Sequence, residues 1–378
     1  MNKIGLMDLK REYPLLKKDI EKQIRECVGS HRWILGDAVT GLEKQVSLYL
    51  GAKYAVGVAS GTDALVLALR AMAIARRDKS CFDKHDEIIT TPFTFIATAE
   101  AIVHSGATPV FVDIDPDTFN INPLAIEKAV TKNTVGIIPV HLYGLGCDMG
   151  QIIKISRENN LFVVEDNAQS FGGMYQDKKL GSIGDCGCHS FFPSKTLGGW
   201  GDGGLVATSD HKVLPLLKAL RNHGQTAAYD ASYIGYNSRL DSLQAAVLLA
   251  KLRHFDKLDN LRRTVAAKYA KAFDTMAMVQ PQPVRKGYRH AYGLYTIKVS
   301  AGSRDKLLAY LNANDVESRV YYPVPLHEMK AFKAAKVSGE LKAVEDVKKR
   351  VLSIPMHPFL KDNEIDYIIK TIRAFFKT

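Results

Sequence analysis

Between residues 54 and 208 the chain repeats one pattern. Short, almost uninterrupted apolar runs alternate with stretches of helical periodicity. The runs are Tyr54–Val58, Glu87–Thr90, Pro109–Ile114, Val135–Val140, Leu161–Asp166, Cys186–Phe192 and Gly203–Thr208. A strand with one wet face alternates apolar and polar residues, and these do not, so both faces must be covered. Helices are predicted between them, over Ala64–Ala73 and Phe95–Ser105. The expectation is an α/β fold, with a seven-stranded, mostly parallel sheet flanked by helices.

The flanking regions read differently. Before the first strand lie two helical patterns within residues 8–50. The first is opened by Tyr13-Pro14 and carries Leu16, Ile20, Ile24 and Val28; the second spans Gly36–Leu50. Residues 75–86 read as a charged surface loop. A long helix is predicted over Ser242–Tyr269. Beyond it come a strand at Tyr295–Val299, a helix at Lys306–Asn312, a strand at Ser318–Tyr322 and a closing helix at Ile365–Phe376. The change of pattern predicts a large domain over 1–250 and a smaller C-terminal α/β domain over 251–378.

Composition excludes some classes. No apolar run reaches the ~18 residues of a membrane span. The first eight residues hold no apolar core of a secretory signal, so the cytoplasm is expected. The net charge of +11 admits either a nucleic-acid partner or a polyanionic small substrate. The basic residues are scattered, however, and no helix-turn-helix, zinc-finger or RNP signature accompanies them. Five cysteines, an odd number, argue against a disulfide framework, and no second Cys/His cluster completes a metal site. They read as core thiols.

The chemistry-bearing residues fall at the predicted strand ends, where open α/β sheets bind ligands. Lys195 follows the run Cys188–Phe192 and Pro193, and precedes Gly198, Gly199, Gly201 and Gly203. It is either a solvent-facing loop lysine or a desolvated, nucleophilic amine able to condense with a carbonyl. Ser60-Gly61-Thr62 follows a strand and opens a helix, which suits a phosphate or a plain helix cap; no P-loop Gly-Lys-Ser/Thr follows. Asp166, at a strand end, can pair with a heterocyclic nitrogen or cap a helix. Ser190 adds a hydroxyl, and Phe95 an aromatic face for stacking or for core packing. Together, a phosphate turn, a strand-end carboxylate and a lysine 29 residues beyond it (195 − 166) are the parts that pyridoxal phosphate needs.

These stretches resemble one family. Ser60–Leu65, Thr91–Thr98, Phe111–Asp115, Val140–Gly144, Glu165–Ser170, Ser190–Gly204, His223–Gln225, Gly235–Asp241, Tyr321–His327 and Ile354–Pro358 match, in order, the DegT/StrS-type sugar-nucleotide aminotransferases, of the aspartate-aminotransferase fold. The resemblance implies pyridoxal 5'-phosphate, converted to pyridoxamine 5'-phosphate in the aminated half-reaction. It implies Lys195 as the covalent anchor, Asp166 on the pyridine nitrogen, Gln169 on the phenolic oxygen and Phe95 on the ring. Gly61, Thr62 and Ser190 would hold the phosphate, with Asn237 reaching it from a neighbouring subunit in an obligate homodimer. Tyr322 and His327 would meet the sugar. Two departures are Thr196, where the family has Asn after the lysine, and the long charged 75–86 connection.

The implied activity is transfer of an amino group from an amino acid, L-glutamate foremost, to a keto-sugar of a nucleoside diphosphate. Tyr321–His327 and Ile354–Pro358 resemble the branch acting on 3-oxo sugars, for surface polysaccharide or glycosylated metabolites. A 4-oxo sugar aminotransferase is the alternative within the family, and a non-catalytic basic nucleic-acid-binding protein the alternative outside it.

Overall fold

A computed structural model describes residues 3–377. Its central sheet has eight strands. Five of them are β1 (Tyr54–Val58), β2 (Glu87–Thr90), β3 (Thr108–Phe111), β4 (Thr134–Ile137) and β5 (Phe162–Asp166). Across the sheet the order is β1, Gly204–Thr208, Cys186–Ser190, β5, β4, β2, β3, Lys336–Val337. Only Gly204–Thr208 runs against its neighbours; every other pairing is parallel. All seven expected strands are present. The eighth, Lys336–Val337, has no apolar run to announce it and docks in parallel on β3 from far along the chain.

Helices cover both faces. They are α1 (Leu9–Ser30), α2 (Asp37–Leu50), α3 (Gly61–Arg77), α4 (Ala97–His104), α5 (Pro123–Ala129), α6 (Met149–Glu158), α7 (Val213–Leu220), α8 (Ser242–Leu252) and α9 (Phe255–Phe273). The central helix α3 is buried almost all round from Ala64 to Ala73, as a helix lying across a sheet and under other helices must be. It continues to Arg77, so the expected surface loop begins later, at the left-handed C-cap Asp78. α1 starts at Leu9 behind an Asp8 N-cap, and Pro14 sits inside its N-terminal part rather than opening it. The expected single helix 242–269 is two helices, broken at Arg253-His254.

The C-terminal residues form a second core. A three-stranded antiparallel sheet, Val279–Pro281, Tyr295–Val299 and Val351–Ile354, packs Ile297 and Ile354 against Val265, Phe273, Leu311 and Ile368. The segment Ser318–Tyr322 is not a strand. It makes one bridge, Arg319 to Ser353, and Tyr322 then turns into the left-handed region at φ 66°. From there the chain returns to the large sheet: Leu341, Val344, Val347 and Val351 pack with Phe93, Phe119 and Tyr143. Of the five cysteines, four are buried as expected of core thiols, but Cys81 is exposed. No helix among the described residues is long and apolar enough to cross a membrane.

Candidate active site

The carboxyl ends of β1, β2, β5 and Cys186–Ser190 meet at one edge of the sheet, because these strands run in one direction. Lys195, Asp166, Gly61, Thr62, Ser190 and Gln169 hang from that edge or from loops leaving it.

Lys195 follows strand Cys186–Ser190 in a tight turn. Its backbone N–H donates to the Phe192 carbonyl (2.8 Å), and that of Gly199 donates to the Phe191 carbonyl (2.7 Å). Thr196, the departure from the family pattern, spends its hydroxyl on the Phe171 carbonyl (3.0 Å), which pins the turn to the layer below. Part of the lysine surface is open, yet burial around the amine lowers its pKa from the ordinary 10.5, against the opposing charge of Asp166. A lowered pKa is the direction that an activated amine requires.

Asp166 ends β5 and is buried. Its Oδ1 accepts from the Ala168 N–H (3.1 Å) and its Oδ2 from the Thr98 hydroxyl (2.8 Å). Burial raises its pKa, while Thr98, Ala168 and the Lys195 charge oppose that rise. Its neighbour Glu165 points to the other face, as alternation along a strand requires. Burial raises Glu165 too, but His141 Nε2 (2.9 Å) and the backbone N–H groups of Gly181, Ile183 and Gly184 outweigh it and hold the carboxyl low. His141 Nδ1 accepts from the Cys147 N–H (3.1 Å), so Nε2 carries the proton and donates it to Glu165.

The α3 N-terminus forms a cradle. Ser60 caps the helix through the Asp63 N–H (3.0 Å), and the first intrahelical bond is Ala64 N–H to the Ser60 carbonyl (3.0 Å). At the start of the helix the N–H groups of Gly61 and Thr62 have no intrahelical acceptor. Ser190 stands directly against Gly61: a Cβ on Gly61 would lie 2.7 Å from the Ser190 Cβ. Backbone donors and a hydroxyl thus converge where an anion can sit.

Gln169 is held from two sides. Its Oε1 accepts from the Tyr143 N–H (2.8 Å), and its Nε2 donates to the Tyr322 hydroxyl (2.7 Å). Tyr143 and Tyr322 stack with centroids 6.2 Å apart, and both have left-handed backbones, at φ 60° and 66°. Bulky residues seldom adopt that conformation, and such strain concentrates at functional sites. A cavity of about 60 Å³ brings Gln169, Lys195 and Tyr322 together.

Three residues lie elsewhere. Phe95 is 57% exposed just before α4. Asn237 is exposed, one residue before Ser238, whose hydroxyl donates to Asp63 of α3 (2.9 Å). His327 sits among Glu328, Glu345 and Lys348, with its Nε2 3.6 Å from the Glu345 carboxylate, outside the cavity of Lys195. Thr98, Tyr143, His141 and Glu165 were given no role by the sequence reading. All four belong to matched stretches, and where such a stretch carried a role it went to a neighbour; the left-handed backbone of Tyr143 has no signature in sequence.

The residues fit pyridoxal phosphate on this structure's own terms: an anion cradle, a buried carboxylate with acceptor capacity to spare, and a desolvated amine. The model of the DegT/DnrJ/EryC1/StrS aminotransferase family matches residues 14–373. The chain is 41% identical to a UDP-N-acetyl-3-dehydro-alpha-D-glucosamine 3-aminotransferase of Acidithiobacillus ferrooxidans, over 98% of this chain and 97% of that one. It is 40% identical to a "pleiotropic regulatory protein" of Geobacillus stearothermophilus, over 99% of both. The solved structure of NtdA from Bacillus subtilis, with its cofactor PMP bound, superposes with a TM-score of 0.91 at 28% identity, covering all of this chain and 86% of that one. The chain belongs to the DegT/DnrJ/EryC1/StrS aminotransferase family.

Proposed function

We propose that this protein is a pyridoxal-phosphate-dependent aminotransferase that moves an amino group from an amino acid, L-glutamate foremost, to the 3-oxo group of a nucleoside-diphosphate sugar. The observation that carries the reading is the placement of a desolvated Lys195 beside Asp166 at the sheet edge that also bears the Gly61–Thr62 cradle. The similar 3-aminotransferase supports the position on the sugar.

Pyridoxal phosphate supplies an aldehyde that condenses with amines and a ring that takes up an electron pair. The chain's residues do the rest. Gly61 and Thr62 N–H and the Ser190 hydroxyl bind the phosphate. Asp166 holds a proton on the ring nitrogen. Gln169, whose amide orientation is fixed by Tyr143, presents N–H to the phenolic oxygen. Phe95 covers the ring. Lys195 would anchor the aldehyde, and its free amine would take the proton from the donor α-carbon and return one as general acid. The amino acid leaves as an oxo-acid; the sugar keto oxygen leaves as water in the second half. Tyr322 and His327 meet the sugar.

Phe95, Phe192 and Trp200 expose 57%, 50% and 47% of their surface around this edge. Exposed large apolar side chains suit cover by another surface; in this reading a second copy provides it and supplies Asn237 to the phosphate.

The test is a panel of 3-oxo and 4-oxo nucleotide sugars offered with L-glutamate to the yellow holoenzyme, with 2-oxoglutarate measured as product. Turnover of 3-oxo sugars at least about tenfold faster, a difference of about 1.4 kcal/mol in the barrier, is expected. Preference for the 4-oxo sugars would move the protein to the other branch, and turnover of neither would remove the substrate class.

A further inference from the structure

Asp166 receives two hydrogen bonds, and one of them comes from a side chain to which nothing above assigns a role. Thr98 is fully buried on α4 and its hydroxyl lies 2.8 Å from Asp166 Oδ2. Behind it, the buried Thr94 hydroxyl lies 3.2 Å from the Thr98 hydroxyl. A threonine hydroxyl has one proton and two acceptor sites, and an ionised carboxylate only accepts. When Asp166 is ionised, the Thr98 proton must point to it, and Thr94 must supply the proton of the 3.2 Å contact. The chain then runs Thr94 to Thr98 to Asp166. A protonated Asp166 could instead donate to Thr98, reversing the sequence and giving up the bond that Asp166 accepts.

We infer that Thr98, backed by Thr94, is a positioning residue that aims the Asp166 carboxylate and keeps it anionic, and so controls whether the ring nitrogen of the bound cofactor carries its proton. The inference rests on the reading of the site given above. Its physical basis is the cost of burying a carboxylate, which is offset only by donors aimed at it. Ala168 N–H supplies one through the backbone, and Thr98 supplies the only side-chain hydroxyl among the described residues. Burial raises the Asp166 pKa, and the Thr98 bond is the first influence opposing that rise.

The test uses holoenzyme loaded with ring-¹⁵N pyridoxal phosphate, in wild type, Thr98→Val, Thr98→Ser and Thr94→Val. Valine keeps the shape of threonine and removes the donor; serine keeps the donor. The ¹⁵N shift is followed against pH to find the midpoint at which the ring nitrogen loses its proton. Thr98→Val is expected to lower that midpoint by about one unit or more, since one charge-assisted hydrogen bond amounts to roughly 1.5–3 kcal/mol. Thr98→Ser should restore it, and Thr94→Val should shift it the same way by less. In steady state, Thr98→Val should reduce kcat about tenfold or more with KM for the amino donor within about twofold. A wild-type midpoint in Thr98→Val overturns the inference, whatever happens to its thermal stability. Should Thr98→Val fail to fold, Thr94→Val decides: no shift overturns the inference, and a downward shift sustains it. A wild type that takes up no cofactor defeats the reading of the site itself, which is a different failure.

Discussion

Lys195 has two duties that a single substitution separates. Lys195→Ala removes the covalent anchor and the proton carrier but leaves the cradle of Gly61, Thr62 and Ser190 and the Asp166 carboxylate. The variant is expected to bind cofactor noncovalently, releasing it on dialysis, with turnover reduced by a factor of at least about 10³. Borohydride reduction of wild type followed by peptide mapping checks the anchor; a pyridoxyl group on another lysine refutes it. At this scale the sequence carried much of the site. Lys195, Asp166, Ser190 and Gly61 fall at strand ends and turns, and strand ends are what apolar runs reveal. Thr98 and Tyr143 were missed for a physical reason. A threonine's hydroxyl direction and a tyrosine's left-handed backbone are set by tertiary packing, and neither residue type favours the conformation it adopts.

Among the elements, the α3 N-terminus and strand Cys186–Ser190 are pressed together at Gly61. Gly61→Ala places a methyl 2.7 Å from the Ser190 Cβ, so either the strand end or the helix start must move. Cofactor affinity, read by fluorescence titration of the apo-protein, should weaken by about tenfold or more, while the helix itself gains from alanine's better propensity. Affinity equal to wild type would mean that the contact does not shape the cradle. A second pair of elements is coupled by charge. Arg11 in the first turn of α1 grips Glu364 in the first turn of the helix Asp362–Phe375 with two bonds, of 2.7 and 2.6 Å. The Arg11 bond holds the Glu364 carboxyl down at about 2. A lowered carboxyl contributes stability that is fully present above its unfolded pKa, near 4.5, and is lost as pH falls through 2. Because Arg11 is 36% exposed, solvent screening limits this to about 1 kcal/mol. Glu364→Gln should lower Tm at pH 7 and converge with wild type near pH 2 in calorimetric scans; an equal deficit at both values would point to lost packing instead. Element existence was legible because long apolar runs and helical periodicity are strong signals. Boundaries were not: the break at Arg253-His254 interrupts a continuous apolar pattern, and Lys336–Val337 is two exposed residues with no periodicity to read.

At the scale of the whole molecule, the shared-site proposal makes a quantitative demand. Asn237→Ala and Lys195→Ala are each expected to be nearly inactive, yet mixed dimers should recover. In a random mixture half the dimers are hybrids, and each hybrid holds one undamaged site if Asn237 acts across the interface. About a quarter of wild-type activity should return on subunit exchange, checked by native mass spectrometry of the same sample. Hybrids with no recovery would mean that Asn237 serves the cradle of its own chain, beside which Ser238 already sits. The docking of Lys336–Val337 on β3 has a further consequence, for how the chain is made. On the ribosome, β3 emerges more than two hundred residues before the strand that covers it. Until then its outer edge offers unpaired N–H and C=O groups to any passing chain. A nascent or prematurely terminated product therefore carries an adhesive edge that the finished protein does not. The last part of the sequence thus acts on the large sheet much as a chaperone does, by occupying that edge.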